Sequence, residues 1–156
     1  MNSTELIKLL SEHFTVEKFA YEDLDIDGEF SQAALDAEAA YEKWKKENPN
    51  PGYGSSTHKD WVQMVNQFPS KYMIREQEYL KEHEIPEWKE VSRYGGEGQG
   101  ETWYSVKYFP SLNIYLRVDG FYSSYEGAEF EDWEKSVKEV FPKQVTITEY
   151  NLIKNE

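Results

Sequence analysis

The chain has 156 residues and a formal net charge of −13 at neutral pH, with 30 Asp and Glu against 17 Lys and Arg. It contains no cysteine, which excludes disulfides, thiolate nucleophiles and every zinc site built on sulfur. A surface this acidic repels nucleic acid and anionic lipid and attracts basic protein surfaces, and it also serves to keep a small protein in solution.

Only 38% of the residues are hydrophobic, yet five Trp, twelve Tyr and eight Phe supply a core, because each ring buries about 150 to 250 Å². At this length one cooperative domain over residues 1–156 is expected. Residues 1–10 lack the basic start, long apolar run and small-residue cleavage site of a signal peptide. No stretch approaches the roughly 20 apolar residues of a membrane span. The expectation is a cytoplasmic protein without membrane contact.

In chain order, residues 4 to about 14 read as a helix, with Leu6, Ile7, Leu10 and Phe14 at helical spacing. From Val16 to Phe30 neither period is clean, and the stretch reads as strand or loop. Ser31 caps a helix running to about Glu47, with Ala34, Ala37, Tyr41 and Trp44 on one stripe and lysines late, as the helix dipole favours. Asn48 to Gly54 is a breaker, after which Thr57 and Asp60 have the spacing of a capping box for a helix carrying Trp61, Met64, Val65 and Phe68. Pro69 kinks that helix or opens the next, whose pattern runs from Tyr72 to Ile85.

Beyond Pro86, segments rich in β-branched and aromatic residues recur at 88–94, 102–109, 112–119, 134–141 and 144–150. Leu112, Ile114, Leu116 and Val118 alternate with Asn113, Tyr115, Arg117 and Asp119, the pattern of a strand with one face on a core. The predicted fold is α+β: a helical layer, about 4–85, packed on one face of an antiparallel meander of four to five strands, about 86–152.

Several motifs invite chemistry. Gly95-Gly96-Glu97-Gly98-Gln99-Gly100 has the glycines of a phosphate loop, but no Lys-Ser or Lys-Thr follows, and Glu97 and Glu101 would face the phosphate; a long hairpin loop accounts for it better. Asp23 to Phe30 matches the opening of a calcium loop, with Ala34 at the twelfth position where a bidentate Glu belongs; the other reading is an acidic turn before a helix. His13, His58 and His83 stand in no metal-ligand or catalytic spacing, and no pair among 30 acids can be singled out for acid–base work. No catalytic residue, metal site or cofactor is assigned, and a non-enzymatic role is expected.

Asp23, Asp25 and Asp27 admit a further reading as a phosphate imitation. In an extended segment such residues project to one side about 6.6 Å apart, close to two backbone steps of DNA. Glu29 continues this rail, and Glu126, Glu129, Glu131, Asp132 and Glu134 could extend it if the fold brings the two clusters together. Charge runs are otherwise solvated faces. The stretch Asp119 to Gly127 carries Phe121, Tyr122 and Tyr125, either as contact anchors in a loop or as the end of a strand plugging the sheet.

Trp103-Tyr104-Ser105-Val106-Lys107-Tyr108-Phe109, Arg117 to Tyr125 and Phe141-Pro142-Lys143-Gln144-Val145-Thr146 together resemble small uncharacterised proteins of bacteriophages and prophages. The resemblance covers about residues 86–150 and carries over no catalytic residue. It implies a bacterial host cytoplasm, where small acidic proteins block nucleases or defence complexes. The expected partner is a basic host protein that handles nucleic acid, bound without direct nucleic-acid contact through Asp23, Asp25, Asp27, Glu29, Tyr122, Tyr125, Glu126, Glu129, Glu131 and Asp132. The alternative is a small-ligand or enzymatic site between helices and sheet, with Tyr115 and Arg117 on the open face.

Overall fold

In the computed structural model, residues 1–153 are described. Helices α1 (Ser3–His13), α2 (Val16–Tyr21), α3 (Gln32–Glu47), α4 (His58–Asn66) and α5 (Lys71–Glu82) precede the sheet. Strands β1 (Lys89–Tyr94), β2 (Thr102–Phe109), β3 (Ile114–Ser123) and β4 (Gly127–Glu129) follow, then a one-turn helix α6 (Trp133–Ser136) and β5 (Val137–Val140). All pairings are antiparallel, in the order β1-β2-β3-β4, with β5 beside the first half of β3. The fold is the expected α+β arrangement.

Period-two alternation sets which side of the sheet is covered. Trp103, Ser105, Lys107 and Phe109 of β2 and Ile114, Leu116 and Val118 of β3 point inward, where they meet Leu6 and Leu10 of α1, Phe14, and Val16, Phe19 and Ala20 of α2. Phe19 is the centre of the packing, with its ring 5.3 Å from Trp88, 5.4 Å from Trp133 and 6.4 Å from Phe109. Helices α3 and α4 stand further out and are held by rings: Trp44 lies 5.1 Å from Phe68 and 6.3 Å from Trp61, and Tyr41 lies 5.5 Å from Phe68.

Four expectations change. Residues 16–21 are helix rather than strand or loop: Thr15 accepts from the Lys18 amide, Val16, Phe19 and Ala20 share the buried face, and Glu22 ends the helix in the left-handed region at φ 58°. With fewer than two turns, the 3.6-residue period has no room to repeat, which is why the pattern is ambiguous in sequence. Thr57 precedes α4 without a side-chain cap, because its hydroxyl pairs with that of Ser55 at 3.1 Å. The segment 134–141 divides: Asp132 caps α6 through the Lys135 amide, so only Val137–Val140 is strand. Residues 144–150 are not a strand; they lie exposed and unpaired.

The helix α5 is separate from α4, since Ser70, after Pro69, caps it by accepting from the Met73 amide. The Gly-rich run is the loop between β1 and β2. Gly95 there sits at φ +107°, and a Cβ on it would collide with the Thr102 carbonyl oxygen. No helix among the described residues is long and apolar enough to cross a membrane.

Candidate functional site

The helix α2 is the wall between two open grooves. On one flank a groove of about 720 Å³ is bounded by Glu17, Glu126, Glu129, Glu131, Asp132 and Trp133. On the other flank a groove of about 480 Å³ is bounded by Thr15, Glu17, Lys18, Tyr21, Asp23 and Asp25. Thr15 and Glu17 line both. Acidic residues from two distant parts of the chain therefore line grooves on the two flanks of a single short helix.

Sequence alternation makes the second segment present its acids. Ala128 and Phe130 turn inward while Glu129 and Glu131 are exposed. The Ala128 amide donates to the Tyr21 hydroxyl at 3.0 Å, and the Trp133 indole N–H donates to the Phe14 carbonyl at 3.1 Å. These two bonds tie both ends of the segment to the α1–α2 unit. Gly120 permits the fit: a Cβ there would lie 2.6 Å from the Phe130 ring and 2.9 Å from the Glu129 carbonyl oxygen. Phe130 in turn meets the edges of Tyr21 at 5.8 Å and Trp103 at 5.2 Å.

The groove concentrates like charge. A hydrogen bond with Glu126, reinforced by repulsion from its charge, raises the Glu129 carboxyl above the usual carboxylate range. Burial raises Glu76, with Asp23 and Glu22 adding repulsion against the bond from the Leu24 amide. Lys18 is the one cation among the residues lining the two grooves, 3.9 Å from Asp25. A cationic surface entering here would relieve this repulsion.

Elsewhere carboxylates are already matched. Lys107, fully buried, donates to the Ala20 carbonyl at 3.0 Å and lies 3.3 Å from Glu22 and 3.8 Å from Glu90. Burial lowers its pKa, and the two carboxylates oppose that. Burial pushes Glu90 up, but bonds from Ser105 and Arg93, both 2.6 Å, together with the Lys107 charge, hold it below the usual range. Lys107 thus grips the last turn of α2, where carbonyls would otherwise lack partners.

The expected contact residues divide by position. Asp23, Asp25, Glu126, Glu129, Glu131 and Asp132 border the grooves. Asp27 and Glu29 lie outside those linings, in a segment anchored to α5 by the Arg75 guanidinium, which donates to the Gly28 carbonyl at 2.7 Å. Asp25 at φ 48° and Gly28 at φ 115° bend the chain, so the acids do not form the straight extended rail whose repeat would match DNA. Tyr122 belongs to β3 and donates to Glu97 in the Gly-rich loop at 2.9 Å, which raises its own pKa. Phe121 likewise finishes the strand, whereas Tyr125 stands 95% exposed in the turn before β4.

The alternative interlayer site meets a filled core. Phe19, Trp103, Phe109 and Leu116 occupy the space between α2 and the sheet, and Tyr115 and Arg117 lie on the opposite face. There Arg117 covers the Tyr104 ring at 4.0 Å and is paired with Asp119 at 2.8 Å.

Four residues stand out in the structure that no sequence motif marks. Glu17 carries no local signal. Lys107 does: it occupies an inward position between Ser105 and Phe109 in the alternation of β2. His13 and His83, far apart in the chain, come together with ring centroids 4.7 Å apart, and Tyr79 bonds His13 Nδ1 at 2.8 Å. Among the described residues no three His, Asp or Glu side chains converge to hold a metal ion. No protein-family model, curated protein or solved structure matches this chain.

Proposed function

We propose that this chain is a non-enzymatic protein-binding factor whose acidic surface around α2 engages a basic patch on a nucleic-acid-handling host protein, standing where nucleic-acid phosphates would stand. The observation that carries the reading is that two acidic segments border grooves on the flanks of one helix, with Thr15 and Glu17 lining both grooves. Carboxylates held this close in the free protein are repelled by one another and gain most from a cationic surface. The resemblance to phage and prophage proteins supplies the setting, inhibition of a host nuclease or defence complex. The absence of a straight rail moves the imitation from a phosphate spacing to a charge density.

The direct test is a titration with a labelled oligo-arginine peptide at rising salt. Binding is expected to weaken with salt and to fall about tenfold or more in either double reversal, Asp23→Lys with Asp25→Lys or Glu129→Lys with Glu131→Lys. Equal affinity of the parent chain and both variants would overturn the proposal. One observation favours a second reading: the larger groove, about 720 Å³, has the size of a small-molecule site. Its acids would select a cationic ligand, and a specific rise of several degrees in melting temperature with a polyamine would favour this reading.

A further inference from the structure

We infer that residues 145–153 act as a sheet strand in trans, pairing with the outer edge of β1 in a second copy of this chain. The segment has strand chemistry without a strand's partner. Val145, Thr146, Ile147, Thr148 and Tyr150 are β-branched or aromatic, the residue types that favour a pleated surface. Yet Val145 is 69% exposed, Ile147 75%, Tyr150 95% and Leu152 98%, and Phe141 just before them is 79% exposed. Exposed apolar side chains in sequence on an unpaired backbone mark a surface for association.

The charge distribution favours a second copy at this place. Over residues 141–153 the charges are Lys143 and Glu149, which cancel, whereas the whole chain carries −13. This segment is therefore a part of the molecule that an identical acidic body does not repel. The receiving edge fits as well. β1 is six residues long and pairs with β2 alone, leaving its other edge free. Lys89 on it complements Glu149, and Val91 and Tyr94 expose apolar surface there. A strand added at this edge also borders the uncovered sheet face, where Tyr94 stacks on Tyr104 at 5.6 Å and Tyr108 on Tyr115 at 4.4 Å.

Reach prevents the start of the segment from pairing in this way within one chain. In the register of the sheet, Val140 aligns with Tyr115, Tyr115 with Tyr108, and Tyr108 with Lys89. The free side of β1 is thus four strand spacings from Val140, about 19 Å at roughly 4.8 Å each. The five residue steps from Val140 to Val145 span at most about 18 Å when straight, and the path must also turn around the sheet. Between copies the whole segment can pair, each copy giving its segment and receiving the other's.

Sedimentation velocity over a wide concentration range, at about 0.05 M and about 0.5 M salt, tests the inference. The expected result is a monomer–dimer equilibrium that strengthens at high salt as repulsion between the acidic bodies is screened. Ile147→Pro removes a ladder donor from a residue that is exposed and unpaired in the single chain, so it is expected to abolish the dimer and leave the melting temperature of the monomer unchanged. Because the parent chain lacks cysteine, mixing a chain carrying Arg93→Cys with one carrying Ile147→Cys should give a cross-link between the two. A monomer under every condition, a dimer that survives Ile147→Pro, or a dimer without the mixed cross-link would each overturn the inference. Binding at the acidic grooves has the opposite salt dependence, so the failure of one proposal is distinguishable from the failure of the other.

Discussion

The carboxylates around Lys107 and those around the groove are the same chemical group in opposite circumstances. Glu22 and Glu90 flank a buried ammonium, and Glu90 is held below its usual range by the bonds it accepts. Glu126 and Glu129 face each other, and Glu129 is raised by the contact. The first arrangement serves the fold, because Lys107 fixes the end of α2. The second works against the isolated fold, because like charges are held side by side. Both depend on α2, one from beneath and one from its outer flanks, so the short helix couples the stability of the core to the shape of the acidic surface.

Removing the Lys107 ammonium has the largest expected effect. Lys107→Met keeps the apolar stem but leaves the Ala20 carbonyl without its donor and removes the positive charge beside Glu22 and Glu90, and should cost about 3 kcal/mol in urea unfolding. An unchanged unfolding midpoint would show that the buried network does not hold α2. Gly120→Ala drives a methyl group into Phe130 and the β4 backbone, with an expected loss of about 2 kcal/mol together with weaker oligo-arginine binding. Tyr21→Phe removes the acceptor of the Ala128 amide and should cost about 1 kcal/mol. Its sharper readout is faster hydrogen exchange at Ala128, which a groove assembled independently of α2 would not show.

The smallest expected effect lies in the groove itself. The folded state raises Glu129 above its unfolded value, so its contribution favours folding at low pH and is lost as pH rises through the elevated value. Glu90 has the opposite sign: its contribution is present at neutral pH and is lost as pH falls through its depressed value. Glu129→Gln should therefore leave the melting temperature at neutral pH equal or slightly higher and flatten its decline between the ordinary carboxylate range and neutrality. A lower melting temperature at neutral pH would mean that the pair stabilises the free protein.

The fold was legible where a period had room to repeat. Eleven residues in α1 and sixteen in α3 show a helical stripe, and the eight of β2 and ten of β3 show alternation. It was illegible in the six residues of α2 and the four of α6, where capping by Thr15 and Asp132 decides the outcome. The strand pattern of 144–150 was present without a partner in the chain, since β-propensity describes a residue's fit to a neighbour rather than a fold on its own. The acids of the site were visible as two runs, but their meeting rests on the Tyr21–Ala128 and Trp133–Phe14 bonds, which join residues more than one hundred positions apart.

The most direct test of a single acidic surface is a parallel capture from nuclease-treated bacterial lysate with three tagged baits: the parent chain, Asp23→Lys with Asp25→Lys, and Glu129→Lys with Glu131→Lys. The account predicts that the parent retains a basic, nucleic-acid-binding protein released by high salt, and that both variants lose that same protein. Retention of an identical set of proteins by all three baits would contradict it.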